Sequence, residues 1–213
     1  MTSTFPLEQE AKFWVPDLET FRAHLEALGA QPLTPRMHEY NLRFDTPAEE
    51  LTQEGRVLRL RRDRRVTLTY KGPGRAQDGL LVRQELEMEV PDFDLARRLL
   101  EALGYRVVFV YEKFRTLYRF GEVVIALDET PMGTFVEIEG PSPEAVMEAA
   151  RKLGLDPAMA IPHSYASLFR EVRERLGLPV RHLTFDEWAH QGVDLSRLGL
   201  RPGWRPETLP SSG

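Results

Sequence analysis

Charged side chains that recur at every second residue restrict the fold of this chain more than any other feature. A period of two is that of a β-strand, whose successive side chains point to opposite faces. In LEQEAKFWV, residues 7–15, Glu8, Glu10 and Lys12 share one face, while Leu7, Ala11, Phe13 and Val15 share the other. Residues 57–61 set Arg59 and Arg61 against Leu58 and Leu60, and residues 65–72 set Thr67, Thr69 and Lys71 against Val66, Leu68 and Tyr70. Arg83, Glu85, Glu87 and Glu89 face away from Val82, Leu86, Met88 and Val90, and Glu137 and Glu139 face away from Val136 and Ile138. Residues 110–121 repeat the theme with Lys113, Arg115 and Arg119, and the more continuously apolar run 122–129 carries Asp128 near its end. A Gly/Pro-rich connection at 71–79 and a tight turn at Phe120-Gly121-Glu122 predict antiparallel neighbours.

One such strand alone would normally turn its charged face to solvent. Here Glu-x-Glu recurs in three strands and basic-x-basic in two. Like charges at i and i+2 lie about 7 Å apart on one face and repel unless something neutralises them. A divalent cation answers the acids, because Mg²⁺ takes one or two carboxylates plus phosphates and water. Arg forks and Lys point charges match phosphate oxygens. Both sets meet if the sheet closes with its charged face inward, in a barrel of about eight tilted strands. The expected fold is therefore α+β: a closed eight-stranded antiparallel β-barrel, or tunnel, with a charged lumen and helices packed on the outside.

Helical periodicity over 16–29, 93–104, 142–154 and 164–177 supplies those helices, with Gly29, Gly104 and Gly177 as left-handed stops and Ser142 as an N-cap. The boundaries expected are a tunnel domain over residues 1–177 and a C-terminal tail over 178–213, which is rich in proline and wraps the surface or frays.

Of 213 residues, 42% are hydrophobic and 29% charged, the balance of an ordinary globular protein. No stretch reaches the roughly 20 apolar residues of a membrane helix, and the N-terminal residues lack the basic-then-apolar order of a secretory signal. A cytoplasmic location without membrane contact is expected. With no cysteine, a metal must be held by carboxylate oxygens or histidine, which points to a hard ion. The five histidines show no ligand spacing, and Gly72-Pro73-Gly74 lacks the Gly-Lys-Ser/Thr of a P-loop. A net charge of −5 disfavours nucleic acid as a partner. Only 4 of the 28 cationic residues are lysine, and Lys12, Lys71 and Lys113 fall on the charged strand faces.

Glu8-Gln9-Glu10-Ala11-Lys12 carries the Glu-x-Glu-x-Lys signature of a known family, and an ordered series follows it: FDTP at 44–47, LRLR with Arg59 and Arg61, YKGP with Lys71, RQELE from Arg83, EKFR with Lys113 and Arg115, ALDE with Asp128, FVEIEG with Glu137 and Glu139, and SYASL at 164–168. Over residues 5–177 the chain resembles the CYTH superfamily, or triphosphate tunnel metalloenzymes. These include thiamine and inorganic triphosphatases, class IV adenylate cyclases and more distant RNA triphosphatases, which use Mg²⁺ or Mn²⁺. Carried over by position, the resemblance implies metal-facing roles for Glu8, Glu10, Asp128, Glu137 and Glu139. It implies phosphate-clamping roles for Lys12, Arg59, Arg61, Lys71, Lys113 and Arg115. Arg83, Glu85 and Glu87 correspond to a charged strand in the middle of the tunnel. The chain departs from the pattern at Arg43, where many members carry tyrosine, and at Pro162 and His163 before the SY motif.

The expected function is hydrolysis of inorganic triphosphate or a small organic triphosphate such as thiamine triphosphate. The alternatives are an adenylate cyclase making cyclic AMP and pyrophosphate, and a noncatalytic phosphate or nucleic-acid binding module suggested by the basic run 56–66. Lys12 and Lys71 are the catalytic candidates, since burial among other cations would lower a lysine pKa and let it position water. A homodimer is the protein partnership considered.

Overall fold

The alternating segments pair into one antiparallel sheet that closes on itself. The computed structural model describes residues 7–77, 80–189 and 191–206. Its strands are β1 (Leu7–Trp14), β2 (Gln31–Asp45), β3 (Val57–Arg62), β4 (Val66–Lys71), β5 (Arg75–Gln77), β6 (Leu80–Glu89), β7 (Arg106–Phe120), β8 (Val123–Thr130) and β9 (Gly133–Glu139). The order around the wall is β1-β9-β8-β7-β2-β3-β4-β6, and pairing of β1 with β6 closes the barrel. This is the closed eight-stranded antiparallel barrel expected from the sequence, with the short β5 added as a hairpin on β6. No helix among the described residues is long and apolar enough to cross a membrane.

The helices are α1 (Leu18–Ala27), α2 (Glu50–Gln53), α3 (Phe93–Ala102), α4 (Pro143–Lys152), α5 (Tyr165–Leu176) and α6 (Phe185–Trp188). They cover the apolar outer face. Phe21 and Leu25 of α1 and Val146 and Ala150 of α4 pack on Phe13, Ile125 and Ile138, all fully buried. Phe93 and Leu100 of α3 cover Leu42, Phe44 and Leu60. Local chemistry sets the ends: Ser142 accepts from Ala145 N at the start of α4, and Gly177 stops α5 at φ +62°.

At one end of the barrel the inward positions turn aromatic. Phe109 of β7 and Phe135 of β9 receive Tyr165, Leu168 and Phe169 of α5, so this helix plugs that end. Residues 178–189 and 191–206 pack against the barrel. Leu183 bridges to Tyr111, Trp188 and Leu195 join the α5 cluster, and Trp204 lies edge-on to Phe21 with a ring separation of 5.2 Å.

One long strand has no counterpart in the sequence reading. Strand β2 carries two prolines and register shifts at Pro32/Thr34, Thr34/Met37 and Arg43/Phe44 that break its period of two. It ends on Asp45, a fully buried carboxylate that accepts from the backbone of Thr46, Leu51 and Thr52 and from the Thr52 hydroxyl, folding residues 46–53 into a compact turn.

Candidate functional site

Inward side chains from all eight barrel strands and the first turn of α5 enclose a cavity of about 370 Å³. Of the residues singled out in the sequence, Glu8, Glu10, Lys12, Arg59, Arg61, Lys71, Arg83, Glu85, Glu87, Lys113, Arg115, Glu137 and Glu139 all line it. Asp128 is fully buried just behind this surface, where it joins Lys113 and Arg115. The structure also brings in Arg43, Tyr111, Ser164 and Tyr165. Tyr111 shares the odd-numbered phase of Lys113 and Arg115, which was a usable signal. Arg43 and the lumen-side Glu39 sit on β2, where Glu39, Asn41 and Arg43 alternate with Tyr40, Leu42 and Phe44, a signal obscured by the prolines earlier in the strand.

Charge is organised as pairs. Lys71 Nζ donates to both oxygens of Glu8, at 2.7 and 2.8 Å, and lies 3.1 Å from Glu85. Arg83 Nε donates to Glu8 at 2.8 Å. Burial works to raise the Glu8 pKa, but the Lys71 ammonium and the Arg83 guanidinium outweigh it and hold it at about 2. Lys12 Nζ lies 2.9 Å from Glu137, donates to the His163 carbonyl at 3.0 Å and sits 4.2 Å from the Tyr165 ring centroid. Lys113 and Arg115 both hold Asp128, and Arg115 also reaches Glu137. Tyr165 donates its hydroxyl to Asp128 at 2.7 Å, and burial beside Asp128 and Glu137 drives its pKa well above the usual phenol value. Tyr111 accepts from Arg59 at 3.3 Å; burial would raise its pKa, but the Arg59 and Lys113 charges prevail and lower it.

The environment of Lys12 corrects the sequence expectation. Its neighbours are carboxylates, not cations. Burial pushes its pKa down, yet Glu137 and Glu10 outweigh burial and raise it, so the ammonium is held protonated. The i, i+2 spacing on β1 did show that Lys12 faces inward, but cross-strand partners depend on register, which sequence does not reveal.

A second group of acids is crowded instead of neutralised. Glu10 and Glu139 are directly opposite each other on β1 and β9. Burial, together with Glu8, Glu10 and Glu85, lifts the Glu139 pKa to about 7. Glu10 is raised by burial and then by Glu137, and Glu85 is raised chiefly by burial. Among the described residues no three carboxylates or imidazoles form a ready-made metal cage. The donors nevertheless fit an ion such as Mg²⁺, which needs only one or two carboxylates when substrate phosphates and water complete its shell. A divalent cation beside Glu10 and Glu139 would relieve their mutual repulsion.

A family model described as the CYTH domain matches residues 6–165. A protein named adenylate cyclase CyaB from Aeromonas hydrophila is 27% identical over 175 residues, covering 76% of this chain and 87% of its own length. Among solved structures, a Vibrio parahaemolyticus protein provisionally called an adenylate cyclase superposes with a TM-score of 0.70 at 24% identity, covering 78% of this chain and 99% of that one. A Hippeastrum protein given a dominant triphosphatase activity superposes with a TM-score of 0.59 at 21% identity, covering 76% and 95%.

Proposed function

This chain belongs to the CYTH family, and from that membership we propose that it is a metal-dependent hydrolase of inorganic triphosphate or a small organic triphosphate. The observation that carries the reading is the division of the lumen. One wall is a crowded acid group around Glu10 and Glu139, and the rest is a surround of guanidinium and ammonium groups.

Arg59, Arg61, Lys71, Arg83, Lys113 and Arg115 are placed to bind the phosphate oxygens. Each now holds a carboxylate that a phosphate oxygen would share or displace. Mg²⁺ or Mn²⁺ held by Glu10 and Glu139, with Glu8, Glu137 and Asp128 around them, would neutralise phosphate charge at the reacting end. Lys12, kept protonated by Glu137 and Glu10, orients an attacking water or stabilises developing negative charge; it does not accept the proton. Attack of water on the terminal phosphorus would break its bond to the bridging oxygen, the water proton would pass to a phosphate oxygen, and the cationic wall would stabilise the departing pyrophosphate or diphosphate ester.

A second reading, adenylate cyclase, is favoured by the name of the Aeromonas relative. It uses the same clamp, with the ATP 3′-hydroxyl attacking the α-phosphorus. A panel of inorganic triphosphate, thiamine triphosphate and ATP, each with Mg²⁺ or Mn²⁺, decides between them. Orthophosphate release is expected. Cyclic AMP and pyrophosphate from ATP without triphosphate hydrolysis would reverse the order. Glu10→Ala and Lys71→Ala are each expected to lower kcat by about 10²-fold or more, as removal of one transition-state contact does elsewhere.

A further inference from the structure

Every cation lining the cavity is answered by a carboxylate except Arg43. Lys12 has Glu137, Lys71 and Arg83 share Glu8, Arg59 and Arg61 lean on Glu87, and Lys113 and Arg115 share Asp128. Arg43 is partly buried, lines the same cavity, and makes no ion pair or side-chain hydrogen bond among the described residues. Its register neighbours are Arg59 on one side and Phe109 on the other, which puts it at the end plugged by α5. That helix adds Arg170, close enough for its charge to act on Arg43, and Arg83 of β6 acts in the same way. Burial lowers the Arg43 pKa, and Arg170 and Arg83 add to that effect, against the opposing influence of Tyr111 and the Asp45 carboxylate. A partly buried guanidinium with no carboxylate hydrogen-bonded to it, at the edge of a cationic lumen, is open to an incoming anion.

The position of the gap describes what fills it. The crowded acids Glu10 and Glu139 and the paired cations serve one stretch of a bound phosphate chain. Arg43 meets whatever lies beyond, and Arg170 of α5, outside the cavity lining, adds its charge from behind. A nucleoside ester would bring an uncharged sugar and base against two guanidinium groups, and a thiamine ester would bring a cationic ring. An ionised phosphate terminus matches both in charge and fork geometry.

Building on the triphosphate reading above, we infer that Arg43, supported by Arg170 and Arg83, forms an anion subsite at the α5 end of the lumen. It holds the second ionised terminus of a linear inorganic polyphosphate and discriminates against chains esterified there.

Calorimetry on the full chain, with EDTA present so that binding is read without turnover, tests this with inorganic triphosphate and ATP as probes. The wild type is expected to bind inorganic triphosphate at least about tenfold more tightly than ATP. Arg43→Gln should lose at least about tenfold for inorganic triphosphate and under about twofold for ATP, with Arg43→Lys recovering part of the loss. The exposed Arg170→Ala should move the two affinities in the same unequal way. Without ligand, Arg43→Gln should melt no lower than wild type, since it removes an unpaired charge; a clear fall in Tm would mark Arg43 as a structural cation and overturn the subsite. Equal loss for both probes, or none for either, overturns the subsite while leaving the triphosphate reading intact. Failure of the wild type to bind any triphosphate in EDTA, together with failure to hydrolyse one with Mg²⁺ or Mn²⁺, overturns both.

Discussion

Glu39, on β2, is almost fully buried between Lys113, Arg115 and Arg61. Burial by itself would raise its pKa, but these three cations outweigh burial and hold it at about 2. A depressed carboxyl stabilises the fold above its unfolded pKa, near 4.5, and that contribution fades as pH falls toward 2. Glu39→Gln is therefore expected to cost up to an order of 3 kcal/mol at pH 7, with the gap to wild type narrowing below pH about 4.5; denaturant melts across that range check it. A gap independent of pH would mean the carboxylate charge is not what matters. Tyr165→Phe keeps the ring under Lys12 but removes the hydroxyl donated to Asp128. A loss of about 1.5–3 kcal/mol is expected, typical of a hydrogen bond to a charged group and readable in the same melts. The faces of the site were legible at this scale because a period of two survives in β1, β3, β4, β6 and β9. Partners were not. That Lys12 meets Glu137, and Lys71 meets Glu8, follows from register and from contact across the closing seam.

Strand β2 marks the limit of pattern reading among the elements. Its prolines and register shifts confine the alternation to residues 39–44, a run short enough that seven strands can be read from sequence and this one is missed. Closure needed it, and it carries the only lumen cation without a carboxylate among the described residues. Helices were easier, because Gly stops and a Ser cap bracket long apolar stripes. The junction of β9 and α4 shows how closely helix and wall approach. A Cβ on Gly140 would lie 2.9 Å from Val123 Cγ1 and 3.0 Å from Val146 Cγ2. Gly140→Ala is expected to cost about 1–3 kcal/mol through overpacking, measured by thermal or denaturant unfolding. Helix α3 behaves differently: Leu95, Leu99 and Leu103 are more than half exposed, so Leu99→Gln should change stability by no more than about 0.5 kcal/mol.

For the whole molecule, the net charge of −5 conceals a lumen whose accessible lining carries eight cations against six carboxylates, with Asp128 and Glu39 buried behind it. Cationic walls within a low-dielectric shell concentrate anions at the entrance, and salt weakens that pull. The KM for triphosphate is expected to rise several-fold between about 10 mM and 500 mM NaCl, with a smaller change in kcat; steady-state assays at fixed metal check it. Closure of the wall has a further consequence, which concerns the order of events as the chain folds. Strand β1 joins β6 on one side and β9 on the other, so Glu10 has register partners at both Leu81 and Glu139. Its final place does not exist until the last strand has been synthesised and seated. Pairings this distant in sequence impose a long loop closure and slow folding. Because β1 carries Glu8, Glu10 and Lys12, the acid wall is assembled in the same step that shuts the seam, and a chain trapped before that step is both open-edged and without its site.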